Sequence, residues 1–97
     1  MLERILYAED DNDLQQIAIL ALETLGGFTI KTCNDGLEVI SAIEDFIPQL
    51  ILLDVMMPNM DGPNALEKIR EIEAFKITPA IFMTAKVQPE EVKKYLD

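Results

Sequence analysis

The chain contains no histidine and a single cysteine, Cys33, among its 97 residues. Without histidine, and with only one thiol, it lacks the donor set of a structural zinc site or a haem. One cysteine also cannot form an internal disulfide. Because Cys33 lies in a strand-like segment, we expect it to be a small packing residue in the core and not a reactive thiol.

Basic residues are scarce as well. Eight Lys and Arg stand against eighteen Asp and Glu, which gives a formal net charge of −10. Affinity for nucleic acid comes mainly from clustered Lys and Arg, so this balance argues against direct nucleic-acid binding. Most of the acids are expected to solvate helix faces, but an acidic chain is also suited to holding a divalent cation.

Long apolar runs are missing. No segment approaches the length of a membrane span, and the start of the chain lacks the successive basic, apolar and small-residue regions of a signal peptide. We therefore expect a cytoplasmic protein with no membrane partner. The composition, 49% apolar and 27% charged, is typical of a folded globular protein, and the length suits one domain over residues 1–97.

Four short apolar runs are typical of strands in a parallel sheet. They are Ile5–Ala8, Phe28–Cys33, Leu50–Leu53 and Pro79–Met83. The second alternates apolar and polar residues, which places it at a sheet edge. Since a helical pattern follows each run, we predict an α/β fold with right-handed crossovers and helices on both faces of the sheet.

Each helical pattern has recognisable ends. The first runs from Leu14 to Leu25 and ends at two glycines, and the second starts at an N-cap, Asp35, and closes at Pro48. The predicted apolar stripe of the second helix consists of Leu37, Ile40, Ile43 and Ile47. A third helix begins at Asp61-Gly62-Pro63, and a last one begins at Pro89 with Val92, Tyr95 and Leu96 facing inward.

Polar side chains follow three of the strands where these strands end. Glu9 and Asp10 follow the first strand, Asp54 follows the third and Thr84 follows the fourth. Open α/β sheets bind ligands in the crevice outside these carboxyl ends. If the first and third strands are neighbours, their ends lie about 5 Å apart. The three carboxylates would then need a cation, for which Mg²⁺ with several retained waters is the best candidate, and Thr84 would offer a hydroxyl across the crevice.

Each of these residues also has a purely structural interpretation. Glu9 and Asp10 could cap the first helix, Asp54 could cap a turn, and Thr84 could simply end a strand. For any one residue taken alone the structural interpretation is favoured. Their common position at one edge of one sheet favours a shared site.

The segments around these residues resemble the receiver domain of two-component response regulators. They read Ile-Leu-Tyr-Ala-Glu-Asp-Asp, Leu-Leu-Asp-Val-Met-Met-Pro-Asn-Met-Asp-Gly and Met-Thr-Ala, and the resemblance extends from about residue 2 to the end of the sequence. It implies a flavodoxin-like (CheY-like), doubly wound parallel sheet, here with four βα units in the strand order 2-1-3-4.

The resemblance also implies a signalling role. Asp54 would accept a phosphoryl group from a phosphohistidine on a sensor histidine kinase or a phosphotransfer protein. Thr84 would hydrogen-bond the phosphoryl oxygens, and Ala85 would leave room for them. Such a domain is a phosphoacceptor and not an enzyme that turns over a substrate.

The cofactor implied by the resemblance is Mg²⁺. Asp10 and Asp54 would bind the ion directly, aided by the backbone carbonyl of Met56. Glu9 would act mainly through water.

One departure from the family pattern has consequences. Receiver domains normally continue with a fifth strand and helix and carry a lysine near the end of that strand, and Lys86, Lys93 and Lys94 do not match it. We therefore expect a fifth βα unit to be missing and phosphorylation of this chain alone to be weak. The fourth strand would become an exposed edge and the first helix would keep bare apolar surface, so we expect a dimer, a domain swap or a partner fragment at that edge.

Two other functions remain open at this point. The first is a receiver-like interaction module that is never phosphorylated. The second is a Mg²⁺-dependent phosphohydrolase with an aspartate nucleophile; such enzymes tend to carry the nucleophile after the first strand in an Asp-x-Asp arrangement, which Glu9-Asp10-Asp11 fits poorly.

Overall fold

The sheet contains four strands, all parallel to their neighbours, in a computed structural model that describes residues 1–83. In chain order the strands are β1 (Arg4–Ala8), β2 (Thr29–Cys33), β3 (Leu50–Asp54) and β4 (Ala80–Met83). Their order across the sheet is β2-β1-β3-β4. The predicted α/β, flavodoxin-like doubly wound architecture and its strand order 2-1-3-4 are confirmed.

The connections between strands are helical. They comprise α1 (Asn12–Ile19), which continues as a π-helical segment over Leu20–Leu25, then α2 (Gly36–Phe46), α3 (Gly62–Arg70) and a short 3-10 turn (Glu73–Phe75). Within residues 1–83, no helix combines the length and the apolar character that crossing a bilayer requires. The predicted helix after Pro89 lies outside the described residues.

Aspartate side chains cap the start of every α-helix in this region. Asp11 accepts hydrogen bonds from the backbone of Asp13 and Leu14, and Asp35 and Asp61 do the same for α2 and α3. These carboxylates satisfy amide groups that have no partner within the helix and complement the positive end of its dipole. The cap predicted at Asp35 and the helix start predicted at Asp61-Gly62-Pro63 are confirmed.

The main core lies between the sheet and helices α2 and α3. It is built from apolar residues of all these elements: Leu6, Ala8, Cys33, Val39, Ile43, Ile51, Leu53, Ile69 and Phe75. Burial raises the pKa of the Cys33 thiol to about 11, so Cys33 is the inert packing residue that we expected. Ile5 and Tyr7 project to the opposite face of β1 and are buried there too, which makes β1 a strand buried on both faces.

The predicted apolar stripe of α2 is only half right. Ile43 is fully buried and Ile40 packs against the core, but Leu37 and Ile47 are exposed, and Val39 is the second fully buried residue. Ile47 lies beyond the helix in a left-handed conformation with φ 51°, so it leaves the helical face that the spacing assigned to it. The assignment of Leu37 and Ile47 to the core was therefore wrong.

The first helix has nearly the predicted extent, but its geometry differs from that of a regular α-helix. Its second half, Leu20–Leu25, has π-helical hydrogen bonding, and Gly27 supplies the left-handed residue expected at the end, with φ 74°. Ile17, Leu20 and Leu25 are exposed. The bare apolar surface predicted for this helix is present.

Candidate functional site

The acidic residues meet because β1 and β3 are neighbours in register. Ala8, the last residue of β1, lies opposite Leu53, so Glu9 directly follows β1 where Asp54 ends β3. Parallel strands bring their carboxyl ends to the same edge of the sheet. The condition on which the predicted shared pocket depended is therefore met.

Glu9, Asp10 and Asp54 form an acidic cluster at this edge. Each contributes a carboxylate oxygen, and these three oxygens all lie within 4.8 Å of one another. Glu9 and Asp54 are only 2% and 3% exposed, whereas Asp10 is open to solvent. Two buried acids and one exposed acid make a pocket with a polar mouth.

The structural interpretation of Glu9 and Asp10 does not hold in this structure. The residue that caps α1 is Asp11, whose Oδ1 accepts from the amides of Asp13 and Leu14 at 2.9 and 3.1 Å. Glu9 Oε2 accepts from the amide of Asp10 at 3.1 Å, away from the helix cap.

Burial and the neighbouring acid raise the pKa of Asp54 to about 7. Desolvation is the largest cause, followed by the hydrogen bond with the Glu9 side chain and the Glu9 charge, while backbone N–H groups of Met56 and Val55 act in the opposite direction. The same surroundings raise the pKa of Tyr7 to about 12, again mainly by burial and then by Glu9 and Asp54. Negative charge is thus disfavoured in this pocket unless a proton or a cation offsets it.

The donor set fits a hard divalent cation. All three side chains of the acidic cluster offer carboxylate oxygens, the ligands that Mg²⁺ and Ca²⁺ prefer, and the described residues contain no histidine that would favour a transition metal. Few protein ligands and an exposed mouth suit Mg²⁺, which keeps several of its waters.

The loop after Asp54, residues 55–61, closes back on itself. The amide of Gly62 donates to the carbonyl of Val55 at 3.0 Å, and Met56 is half exposed between the two ends. A Cβ at Gly62 would lie 2.3 Å from the backbone oxygen of Asp54, a distance that no side chain tolerates. Glycine at this position is what allows α3 to start so close to the end of β3.

Two of the predicted site residues, Thr84 and Ala85, lie outside the described residues. The backbone N–H of Met56 donates to the Asp54 carboxylate. The structure thus brings together Glu9, Asp10 and Asp54, and the parts assigned to Met56, Thr84 and Ala85 stay predictions.

Sequence reasoning missed a set of polar residues that connect the loops around the cluster. Gln15 is buried and donates to the backbone oxygen of Glu9 and, at 2.8 Å, to Oδ1 of Asn34. Asn59 donates to Oδ2 of Asp35 at 2.6 Å. Asn59 carried a signal, because a Pro-Asn pair is typical of a turn with a left-handed residue, whereas nothing in the helical pattern distinguished Gln15 from a surface residue.

Comparison with known proteins agrees with this geometry. Residues 5–97 match the family model described as the response regulator receiver domain. The chain is 34% identical over 85 residues to the CpxR homolog, a transcriptional regulatory protein of Haemophilus influenzae. This alignment covers 88% of the chain and 35% of that protein. It is 31% identical over 83 residues to the transcriptional regulatory protein TrcR of Mycobacterium tuberculosis, covering 86% of this chain and 31% of that protein. The chain therefore spans about a third of the length of these two curated relatives.

A solved structure shows the same architecture. The N-terminal domain of a response regulator receiver protein from Methanoculleus marisnigri superimposes with a TM-score of 0.80 at 35% identity, over 98% of this chain and 77% of that one. With a family match over most of its residues and an acidic cluster at the carboxyl end of its parallel sheet, the chain belongs to the response regulator receiver domain family.

Proposed function

We propose that Asp54 is the phosphoacceptor of a two-component phosphorelay and that Mg²⁺ assists the transfer. The observation that carries this proposal is the acidic cluster, in which a buried aspartate at the end of β3 lies within 4.8 Å of two further carboxylates. A group so placed stays ionised, and can act as a nucleophile, when a cation offsets its neighbours. Membership of the receiver family supports the same role.

The residues proposed to hold the ion are the three acids of the cluster together with Met56. Asp10 and Asp54 would bind it through their side chains, Met56 through its backbone carbonyl and Glu9 mainly through water. When bound, the ion supplies charge neutralisation for the carboxylate and for the incoming phosphoryl oxygens.

In the proposed transfer, an oxygen of the Asp54 carboxylate forms a bond to phosphorus. The phosphorus–nitrogen bond of the donor phosphohistidine breaks, and the imidazole leaves with the electron pair of that bond, so that an acyl phosphate remains on Asp54. Thr84 would hydrogen-bond the phosphoryl oxygens and Ala85 would leave space for them. These two assignments depend on the resemblance in sequence.

The proposed donor is a sensor histidine kinase or a phosphotransfer protein, and the proposed unit is one domain over residues 1–97. None of Lys86, Lys93 and Lys94 matches the sequence pattern of the family's lysine, so within residues 1–97 the phosphoryl group would have no such cationic partner. We expect a small phosphodonor to label this 97-residue chain more slowly than a full-length receiver. Equal labelling rates would contradict this part of the proposal.

A phosphoryl mimic tests the function directly. Beryllium fluoride with Mg²⁺ should raise the melting temperature of the protein, since a ligand at a hundred times its Kd stabilises by about 2.7 kcal/mol. Asp54→Asn should abolish the shift. Asp45→Asn removes the same charge from an exposed position of α2 and should keep it.

Two other results, one from this experiment and one from a phosphoester hydrolysis assay, would point to other functions. No shift in the unmodified protein would favour an interaction module that is never phosphorylated. Steady turnover of a phosphoester would favour an aspartate-nucleophile phosphohydrolase.

A second copy of the chain is the proposed partner at β4. Within residues 1–83, β4 pairs with β3 alone, and its Ile81 and Phe82 are 53% and 41% exposed. Apolar strand edges of this kind pair with other chains. The opposite edge, β2, carries Lys31, and a charged side chain of this kind protects an edge against pairing.

A further inference from the structure

The loop of residues 55–61 that follows Asp54 is attached to the start of α2, an element that contributes nothing to the acidic cluster. The backbone oxygen of Met60 accepts from the amide of Gly36 at 2.9 Å, and the side chain of Asn59 donates to Asp35 at 2.6 Å. One contact joins the two backbones and the other joins two side chains. Two consecutive loop residues, Asn59 and Met60, are thus hydrogen-bonded to the start of α2.

This contact is tight and leaves no room for adjustment. A Cβ at Gly36 would lie 2.6 Å from the backbone oxygen of Met60 and 2.7 Å from its Cγ. Asn59 reaches Asp35 from a left-handed conformation with φ 66°, which asparagine tolerates better than most residues. The loop therefore meets the helix start in one defined geometry.

Asp35 uses its two carboxylate oxygens for two different purposes. Oδ1 caps α2 by accepting from the amide of Glu38 at 2.9 Å, and Oδ2 accepts from Asn59. The side chain is only 7% exposed. The hydrogen bond from Asn59, and then that from the Glu38 amide, lower the pKa of Asp35, so the carboxylate is charged and makes strong acceptor bonds at neutral pH.

The attached loop is the one that carries Met56. Its two ends are joined by the backbone bond between Gly62 and Val55, and its residues 59 and 60 are fixed by Asp35 and Gly36. A backbone carbonyl can serve as a metal ligand only if the peptide that carries it has a fixed orientation. The amides of Val55 and Met56 also donate to the Asp54 carboxylate, so Asp54 holds the start of the loop while the start of α2 holds its later part.

We propose that Asp35, through its hydrogen bond from Asn59, is a positioning residue that orients the loop of residues 55–61 so that the Met56 carbonyl faces the ion bound by the acidic cluster. This inference rests on the proposed function of that cluster. Asp35 touches neither the ion nor the phosphoryl group and acts only through the loop.

The test separates the hydrogen bond from the backbone geometry and from the helix cap. Asn59→Gly keeps a residue suited to φ 66° and leaves Asp35 as the cap, but removes the side-chain contact. By NMR titration, its Mg²⁺ Kd should rise about tenfold, the range seen when an outer partner of a metal ligand is lost. Asp35→Ser should weaken Mg²⁺ similarly, because its hydroxyl can still cap α2 but is too short to reach Asn59.

Exchanging the two side chains provides the rescue. In the double variant Asp35→Asn with Asn59→Asp, residue 35 donates and residue 59 accepts, so the bond is restored in reverse and Mg²⁺ affinity should return close to the original. Asp45→Asn, an exposed acid on the same helix, is the control for charge and should not change the Kd. Unchanged affinity in Asn59→Gly, or a double variant as weak as the single ones, would overturn the proposal.

Failure of the proposed function would give a different result. If the unmodified protein bound no Mg²⁺ at all, the function of the acidic cluster would be wrong. The positioning role is then decided without metal, by hydrogen exchange of the amides of residues 55–57. Exchange that is faster in Asn59→Gly and slow again in the double variant supports the orientation of the loop by Asp35, and equal exchange in all three proteins rejects it.

Discussion

A single buried carboxylate, Asp54, determines the electrostatics of the candidate site. Its burial and its hydrogen bond with Glu9 raise its pKa to about 7, so that in the absence of metal a proton on Asp54 offsets the charge that a cation would offset. Metal binding and proton release are then linked, because Mg²⁺ needs the ionised carboxylate. We expect Mg²⁺ affinity to increase from pH 6 to pH 8.

The same shift makes the stability of the metal-free protein depend on pH. The pKa of Asp54 is raised in the folded state, so between about pH 4 and about pH 7 the folded protein binds more protons than the unfolded chain. The free energy of unfolding must therefore fall as pH rises through this window. Asp54→Asn should remove this loss and be more stable than the original at pH 8 without metal, by roughly 1–3 kcal/mol.

Urea unfolding at pH 4.5 and pH 8 checks this prediction. The two proteins should differ little at the lower pH and clearly at the higher one, and Asp45→Asn should follow the original at both. A difference that is the same at both pH values would mean that the Asp54 carboxyl is not perturbed.

Position 62 accommodates no residue other than glycine without a shift of its neighbours. A methyl group there would lie 2.3 Å from the backbone oxygen of Asp54, so Gly62→Ala must push β3 and α3 apart. We expect a loss of about 1–3 kcal/mol in the free energy of unfolding, together with weaker Mg²⁺ binding because Asp54 moves. Asn64→Ala, an exposed position two residues further on in α3, should change stability by no more than about 0.5 kcal/mol. Equal stability of the two variants by thermal unfolding would contradict the close approach.

Sequence reasoning identified the acidic cluster but not its supports. Glu9, Asp10 and Asp54 could be predicted because they lie at or just after the ends of two apolar runs, and strand ends in a parallel sheet share one edge. Asp35 and Asn59 are 24 residues apart, and their contact depends on how one loop folds over a helix start. Such a contact depends on the tertiary structure, so residue types and their spacing within one segment do not predict it.

At the scale of elements, hydrophobic periodicity located the helices but did not decide which face is buried. In α2 the spacing selected Leu37 and Ile47, yet Val39 is buried instead, because the chain leaves the helix at Ile47 and the direction of the helix over the sheet sets the buried side. In the first helix the apolar residues occupy so much of the circumference that no stripe is defined. Several of them, Ile17, Leu20 and Leu25, are left at the surface.

The left-handed residue at the end of α2 gives a test at this scale. Ile47 is β-branched, 55% exposed and has φ 51°, a conformation that costs such a residue about 1–2 kcal/mol. Because little burial is lost, Ile47→Gly should stabilise the protein by about 1 kcal/mol, which corresponds to roughly 4–8 °C in Tm for a domain of this size. The hydrogen bond from Arg4 to the Ile47 carbonyl involves only the backbone of residue 47 and should persist.

The control for Ile47→Gly is Leu37→Gly, the same kind of change at an exposed apolar residue inside α2. There glycine relieves no strain and adds flexibility to a helix, so Tm should fall. If both variants lowered Tm, the strain assigned to Ile47 would be wrong.

For the molecule as a whole, the topology was the most predictable property. Four alternating strand and helix patterns permit few sheets, since crossovers between parallel strands are right-handed, and the resemblance selected the order β2-β1-β3-β4. What lies beyond Met83 is outside the described residues, so the assignments of Thr84, Ala85 and the last helix remain predictions. The same holds for the weak phosphorylation expected of the 97-residue chain.

Net charge and the exposed edge of β4 act against each other in the proposed dimer. A charge of −10 on each copy opposes association, while pairing at β4 would remove Ile81 and Phe82 from water. Salt screens the repulsion, with a Debye length of about 10 Å at 0.1 M and about 3 Å at 1 M, and leaves the apolar contribution in place. The dimer fraction should therefore increase with salt concentration in light scattering at constant protein concentration. Ile81→Glu should keep the protein monomeric at every salt concentration, whereas Thr29→Glu, which adds the same charge on β2, should leave the salt-dependent dimer intact. A monomer throughout, or equal effects of the two variants, would show that β4 is not the interface.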